Sequence, residues 1–183
     1  MKNVRKILVL MGFLAVLALF MGSVSAASLN TSDMGLASAG VKDYTETHGH
    51  IPGYVDVSDK NITTASFLEA VTTETVKLNQ NDVTPVDVSS AGAAPSPSGS
   101  ATGIVYKSEY VNIANRVSSF INTNGRAPNY ASSSKGNIRY ESLVYMYAKV
   151  VNYYNVNNRL PNYVTVVYYK GTDSIGVTID NVP

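Results

Sequence analysis

The sequence predicts a mainly α fold: two helix-pair modules, four short helix-turn repeats in all, with short β-hairpins at the turns. Three observations predict it. Apolar residues recur at steps of three and four along several stretches, the chain matches itself at two offsets, and Gly, Asn and Pro interrupt the apolar stretches at corresponding places. An apolar period near 3.6 residues marks a helix with one buried face.

The first stretch reads as an export leader. Lys2, Arg5 and Lys6 precede an apolar run from Ile7 to Met21, and Val24, Ser25 and Ala26 supply small residues at its exit. A charged start, a short apolar run and a small-residue exit describe a secretory signal. The run is shorter than the ~20 residues that cross a bilayer. Residues 1–26 are therefore expected to be removed, with no stable membrane insertion of what remains.

The remainder divides at residues 89–103, SSAGAAPSPSGSATG, whose small, polar and proline-rich composition predicts a flexible linker. Residues 27–88 form a first pair and residues 104–183 a second. Shifting the second by 76 positions onto the first needs no gap over residues 41–88, and 13 of those 48 positions are identical. Gly49/Gly125, Pro52/Pro128, Tyr54/Tyr130, Asn61/Asn137 and Pro85/Pro161 are among them. A shift of 33 acts inside the second pair, carrying Asn124, Arg126, Pro128, Asn129 and Tyr130 onto Asn157, Arg159, Pro161, Asn162 and Tyr163. Such internal periods signify stacked repeat units.

Each unit reads as a helix and a turn. In the third, Tyr110, Ile113, Ala114, Val117, Phe120 and Ile121 share one helical face. Ser108 is the expected N-cap, and Gly125 ends the helix in the left-handed position that glycine takes without strain. In the fourth, Leu143, Val144, Tyr147, Val151 and Tyr154 repeat the pattern, leaving Tyr140, Tyr145 and Tyr153 off that face and free to meet a partner. In the first pair Phe67, Leu68, Val71, Thr75 and Leu78 form a weaker face. Alternation at residues 164–166 and 175–179 predicts a hairpin in the C-terminal tail.

Charge and composition exclude several functions. Residues 27–88 hold three Lys against nine Asp and Glu, while residues 89–183 hold eight Lys and Arg against four. An excess this small does not suit nucleic acid, which asks for a clustered basic face; a carboxylate-bearing ligand suits it better. With no cysteine, thiol catalysis and Cys-containing metal sites are excluded. His48 and His50 lack further ligands and read as turn residues, so no metal, cofactor or catalytic group is expected.

The most specific feature is N-G-R-A-P-N-Y at residues 124–130, echoed by N-N-R-L-P-N-Y at residues 157–163. A helix ending in this segment, in tandem behind such a leader, resembles the pseudomurein-binding repeat of methanogenic archaea, over about residues 41–88 and 110–166. The first pair departs from it: H-G-H-I-P-G-Y at residues 48–54 and N-D-V-T-P-V-D at residues 81–87 lose most of the motif. The resemblance implies a non-catalytic protein secreted to the cell surface and held on pseudomurein, a glycan with a uronic-acid sugar cross-linked by short peptides. Arg126, Asn129, Tyr130, Arg139, Tyr140, Arg159, Asn162 and Tyr163 are the expected ligand residues. An Arg fork takes a carboxylate through two hydrogen bonds, Asn offers donor and acceptor, and Tyr gives a flat face. Each also has a structural reading, with Pro128 and Pro161 as turn-makers, the Arg side chains as helix caps and the Tyr rings as core. Two alternatives stand beside the first: a targeting portion of a longer wall-lytic enzyme or adhesin, and a surface protein–protein module.

Overall fold

A computed structural model describes residues 27–179, and the expected leader lies outside them. The first pair runs β1 (Ala27–Leu29), α1 (Thr31–His48), β2 (Tyr54–Val57), β3 (Lys60–Thr63), α2 (Thr64–Asn79) and β4 (Val86–Val88). The second runs β5 (Gly103–Tyr106), α3 (Lys107–Asn124), β6 (Tyr130–Ser133), β7 (Gly136–Arg139), α4 (Tyr140–Asn157) and β8 (Tyr163–Val166), followed by β9 (Val177–Ile179). The 76-residue offset carries α1, β2 and β3 onto α3, β6 and β7 residue for residue.

Four helices and nine strands make this an α/β mixture among the described residues, which corrects the expectation of a mainly α protein. Each unit is strand–helix–strand. Within a pair the inner strands form a hairpin, β2 with β3 and β6 with β7, while the outer strands close antiparallel, β1 on β4 and β5 on β8. Strands of three or four residues are too short for alternation to stand out, and the outer partners are remote in sequence.

The helices end as the residue types require. Gly49, Gly125 and Asn158 cap α1, α3 and α4 in the left-handed region, at φ of 78°, 65° and 52°. Their starts differ from expectation at α3, where Tyr106 and not Ser108 is the N-cap and no side chain caps it. Strand β5 hands directly to the helix there, and the Lys107 amide donates to the Asn162 carbonyl at 2.9 Å.

Packing between helices crosses from one pair to the other. Helix α1 lies on α4, α2 lies on both α3 and α4, and α1 scarcely meets its own partner α2. The layer order is therefore α1, α4, α2, α3, with one continuous apolar core. This corrects the picture of two separate modules. The central helices are covered on more than one face: α4 buries Leu143, Met146 and Tyr147 but also Tyr140 and Tyr145. Tyr140 and Tyr145 are consequently not free for a partner, and the Tyr145 hydroxyl donates to Glu46 of α1 at 2.5 Å. Tyr147 donates to the Tyr110 carbonyl and Tyr110 to that of Pro161, which satisfies both buried hydroxyls.

The segments that leave each pair are seated on the other pair. Residues 89–103 are not a loose tether: the Gly92 amide donates to Gly125, the Ala127 amide donates back to Gly92, and the Ala101 amide reaches Asn137. Composition gives no sign of this, because backbone groups make these bonds. The tail returns to the first pair. The Ile51 amide donates to Gly171, the Gly53 amide donates to Ile175, and β9 adds to β2 as a parallel strand. The expected tail hairpin is therefore replaced, since β8 pairs with β5 and β9 with β2.

A carboxylate adds to these backbone bonds in holding the tail. The Tyr44 hydroxyl donates to Asp173 Oδ2 at 2.7 Å and the Ile175 amide to Asp173 Oδ1 at 3.2 Å. These bonds hold the Asp173 carboxyl below the usual carboxylate range, while burial and Asp173 push Tyr44 up to about 12. A depressed carboxylate contributes stability above its ordinary pKa of ~3.9 and loses it as pH falls through the lowered value. Glu69 and Glu74 behave oppositely, because burial raises both, so the body of the fold gains stability as they protonate on acidification. Amide exchange of Val177–Ile179 should thus stay slow on mild acidification and quicken below about pH 4. Loss of protection above pH 5 would contradict it.

Candidate functional site

An open groove lies between α3 and β6. Val117, Phe120, Pro128 and Ala131 line it together with Arg116, Arg126, Asn129, Tyr130 and Ser132, around about 400 Å3. Helix α3 contributes three of these residues at steps of one and three, and its αL cap at Gly125 turns the chain so that residues 126–132 run back beside it. Pro128 is buried at the turn, and Tyr130 stands 44% exposed at the rim.

The guanidinium of Arg126 lies over the Phe120 ring, 5.2 Å from its centroid, with Nη1 donating to the Ala127 carbonyl at 3.2 Å. Arg116 donates from Nε to Asn112 at 3.0 Å and from Nη2 to the Ser132 carbonyl at 2.8 Å. Asn129 is committed on two sides: its Oδ1 accepts from the Ser96 amide and its carbonyl from the Ser98 and Tyr140 amides. Among the described residues two guanidinium groups and no carboxylate line the groove, so its chemistry is that of an anion acceptor with an aromatic floor.

Of the expected ligand residues, the structure brings Arg126, Asn129 and Tyr130 together here. Arg139 stands opposite Tyr130 on β7 but is largely buried, its Nε 2.8 Å from Glu141 Oε2. Tyr140 is 3% exposed and belongs to the core. Arg159, Asn162 and Tyr163 are exposed on the fourth unit, away from the groove lining. The Arg159 guanidinium lies over Tyr153 at 5.3 Å, and Tyr163 pairs across the strands with Tyr106. Sequence reasoning missed Arg116 and Phe120 as members of these surfaces, and it left Tyr153 free to meet a partner without pairing it with Arg159. For the two aromatic residues a signal was present: an aromatic six residues before each motif Arg, at Phe120–Arg126 and again at Tyr153–Arg159, repeats at the 33-residue shift.

The corresponding place in the first pair is filled. The 76-residue offset puts Gly40, Tyr44, His50, Gly53 and Tyr54 where Arg116, Phe120, Arg126, Asn129 and Tyr130 stand. Tail residues occupy the space between α1 and β2. A Cβ at Gly40 would lie 2.3 Å from Ile179 Cδ1, and one at Gly53 would lie 2.4 Å from the Asp173 carbonyl oxygen. His50 Nδ1 is 3.7 Å from Asp173 Oδ2. The departures of this turn from the second pair's motif are thus a fit to the chain's own tail.

Among curated proteins, none matches the chain. The pseudomurein-binding repeat family matches it twice in tandem, at residues 101–133 and 134–166. These spans coincide with the units β5–α3–β6 and β7–α4–β8.

Proposed function

We propose, from the two tandem pseudomurein-binding repeats at residues 101–166, that the chain is a non-catalytic protein held on the pseudomurein wall outside the cell. The open groove of the third unit is its principal contact. The repeats make the chain a wall-binding module; the observation that supports this particular contact is the groove itself, with two Arg and, among the described residues, no acid around an aromatic floor. Pseudomurein offers carboxylates, and a guanidinium fork already supported by a ring loses little freedom on taking one. The second exposed cluster, Arg159, Asn162 and Tyr163, adds a weaker contact that raises avidity when both engage one polymer. No helix of the described residues is long and apolar enough to cross a membrane, and the residues 1–26 leader accounts for delivery to the surface.

Sedimentation of the recombinant chain with purified pseudomurein sacculi, with murein sacculi as control, tests this. The wild type should pellet with pseudomurein only. Arg126→Ala should weaken binding by on the order of 1.5–3 kcal/mol, the worth of a charge-assisted hydrogen bond, and reduce its salt sensitivity. Arg159→Ala, at a more exposed site, should cost about 1 kcal/mol or less. Equal pelleting with murein, or an unchanged and folded Arg126→Ala variant, would overturn the assignment.

A further inference from the structure

The first pair contains a worked example of what such a groove holds. There β9 lies in the space between α1 and β2, pairing in parallel along β2 at Val55↔Val177, Asp56↔Thr178 and Val57↔Ile179. The occupant is an extended peptide. In the second pair β6 belongs to a two-stranded sheet with β7, so among the described residues its other edge carries no strand. That edge faces the groove, because the Ser132 carbonyl accepts from Arg116 Nη2 of α3. In an extended strand the N–H and C=O of one residue point the same way, so the Ser132 amide faces the groove too.

We infer that the groove of the third unit binds a short, carboxylate-bearing extended peptide as a parallel strand on β6, so that the peptide portion of the wall polymer, and not its glycan, is what this site reads. The inference rests on the wall-binding reading above. Backbone pairing supplies affinity independent of side chains, and the pocket walls supply selection. The differences between the two grooves define the selection. Where the first has Gly40 and His50 against its own tail, the second has Arg116 and Arg126. Arg116 caps the free edge by bonding the Ser132 carbonyl, a guard that suits an unpaired strand. A peptide carboxylate draws that guanidinium away and leaves the Ser132 carbonyl to accept a peptide amide. The upstream path is already taken, because the Ala127 amide donates to Gly92 of residues 89–103 as the Ile51 amide donates to Gly171 of the tail. Only the stretch opposite Tyr130–Ser133 remains, a length of about three residues by comparison with β9. That length matches a short cross-linking peptide.

The test is a titration of the 15N-labelled full chain with the soluble peptide fraction and, separately, the soluble glycan fraction of purified pseudomurein. The peptide fraction should shift the amides of Tyr130–Ser133 and the Nε signals of Arg116 and Arg126. The Val55–Val57 amides, covered by β9, should stay still and serve as an internal control. Ser132→Pro, which removes the edge amide, should lower peptide affinity at least tenfold, and Arg116→Ala about fivefold with the fold intact. Shifts on β6 from the glycan fraction alone, peptide-induced shifts that map elsewhere, or a folded Arg116→Ala variant with unchanged peptide affinity would overturn the inference. Failure of sacculi to retain the wild type would instead sink the wall-binding reading itself, so the two failures are distinguishable.

Discussion

Expressed separately, residues 27–103 and residues 104–183 should each fail to give a cooperative unfolding transition, and mixing the two should restore one. The reason is where the helices pack. Contacts of α1 with α4 and of α2 with α3 and α4 cross between the pairs, whereas α1 and α2 scarcely meet. A separated second pair would uncover the faces of α4 and α3 that now lie against α1 and α2 in one continuous apolar core. At about 1.5–3 kcal/mol for each large apolar side chain uncovered, the loss of a handful of them is comparable to the 5–15 kcal/mol that stabilises an ordinary domain. The exit segments aggravate it, because Gly92 and Gly171 each make backbone bonds to the opposite pair. Near-UV circular dichroism and thermal melts of the two fragments decide the matter. A fragment that melts cooperatively alone would show that the shared core is dispensable.

Gly53→Asn should expel the tail from the first groove while leaving the four-helix layer folded. The substitution installs the residue of the third unit at the equivalent place, and its Cβ would lie 2.4 Å from the backbone oxygen of Asp173. A backbone atom cannot swing aside as the end of a flexible side chain can. Overpacking of this kind costs about 1–3 kcal/mol, which is enough to detach a three-residue strand held at one edge. Tyr44 then loses its bond to Asp173, and β2 becomes as open as β6. Trypsin should cut after Lys170 faster than in the wild type, and Val177–Ile179 should exchange their amides quickly. Unchanged proteolysis and exchange would mean that the tail does not depend on the gap at Gly53.

Much of the local structure was legible in the residues. The 76- and 33-residue offsets, the αL position at Gly125, and the buried face of Tyr110, Ile113, Val117 and Ile121 all follow from spacing and residue type. So do Arg126, Asn129 and Tyr130, which one continuous segment brings to one groove. These are properties of neighbours in the chain, where a helical period or a glycine's freedom acts within a few residues. Tertiary structure alone decided the rest. The outer strands pair across almost the full length of each pair, Tyr140 and Tyr145 are buried because α4 is central to the helix layer, and Arg139 turns inward to Glu141. Residues 89–103 and 171–179 are ordered by backbone hydrogen bonds, which every residue type can make and composition therefore cannot announce. The turn at residues 48–54 reads in sequence as a worn copy of residues 124–130. Its glycines and its histidine are instead the space and the contacts that a peptide already in place requires, and only the position of that peptide could say so.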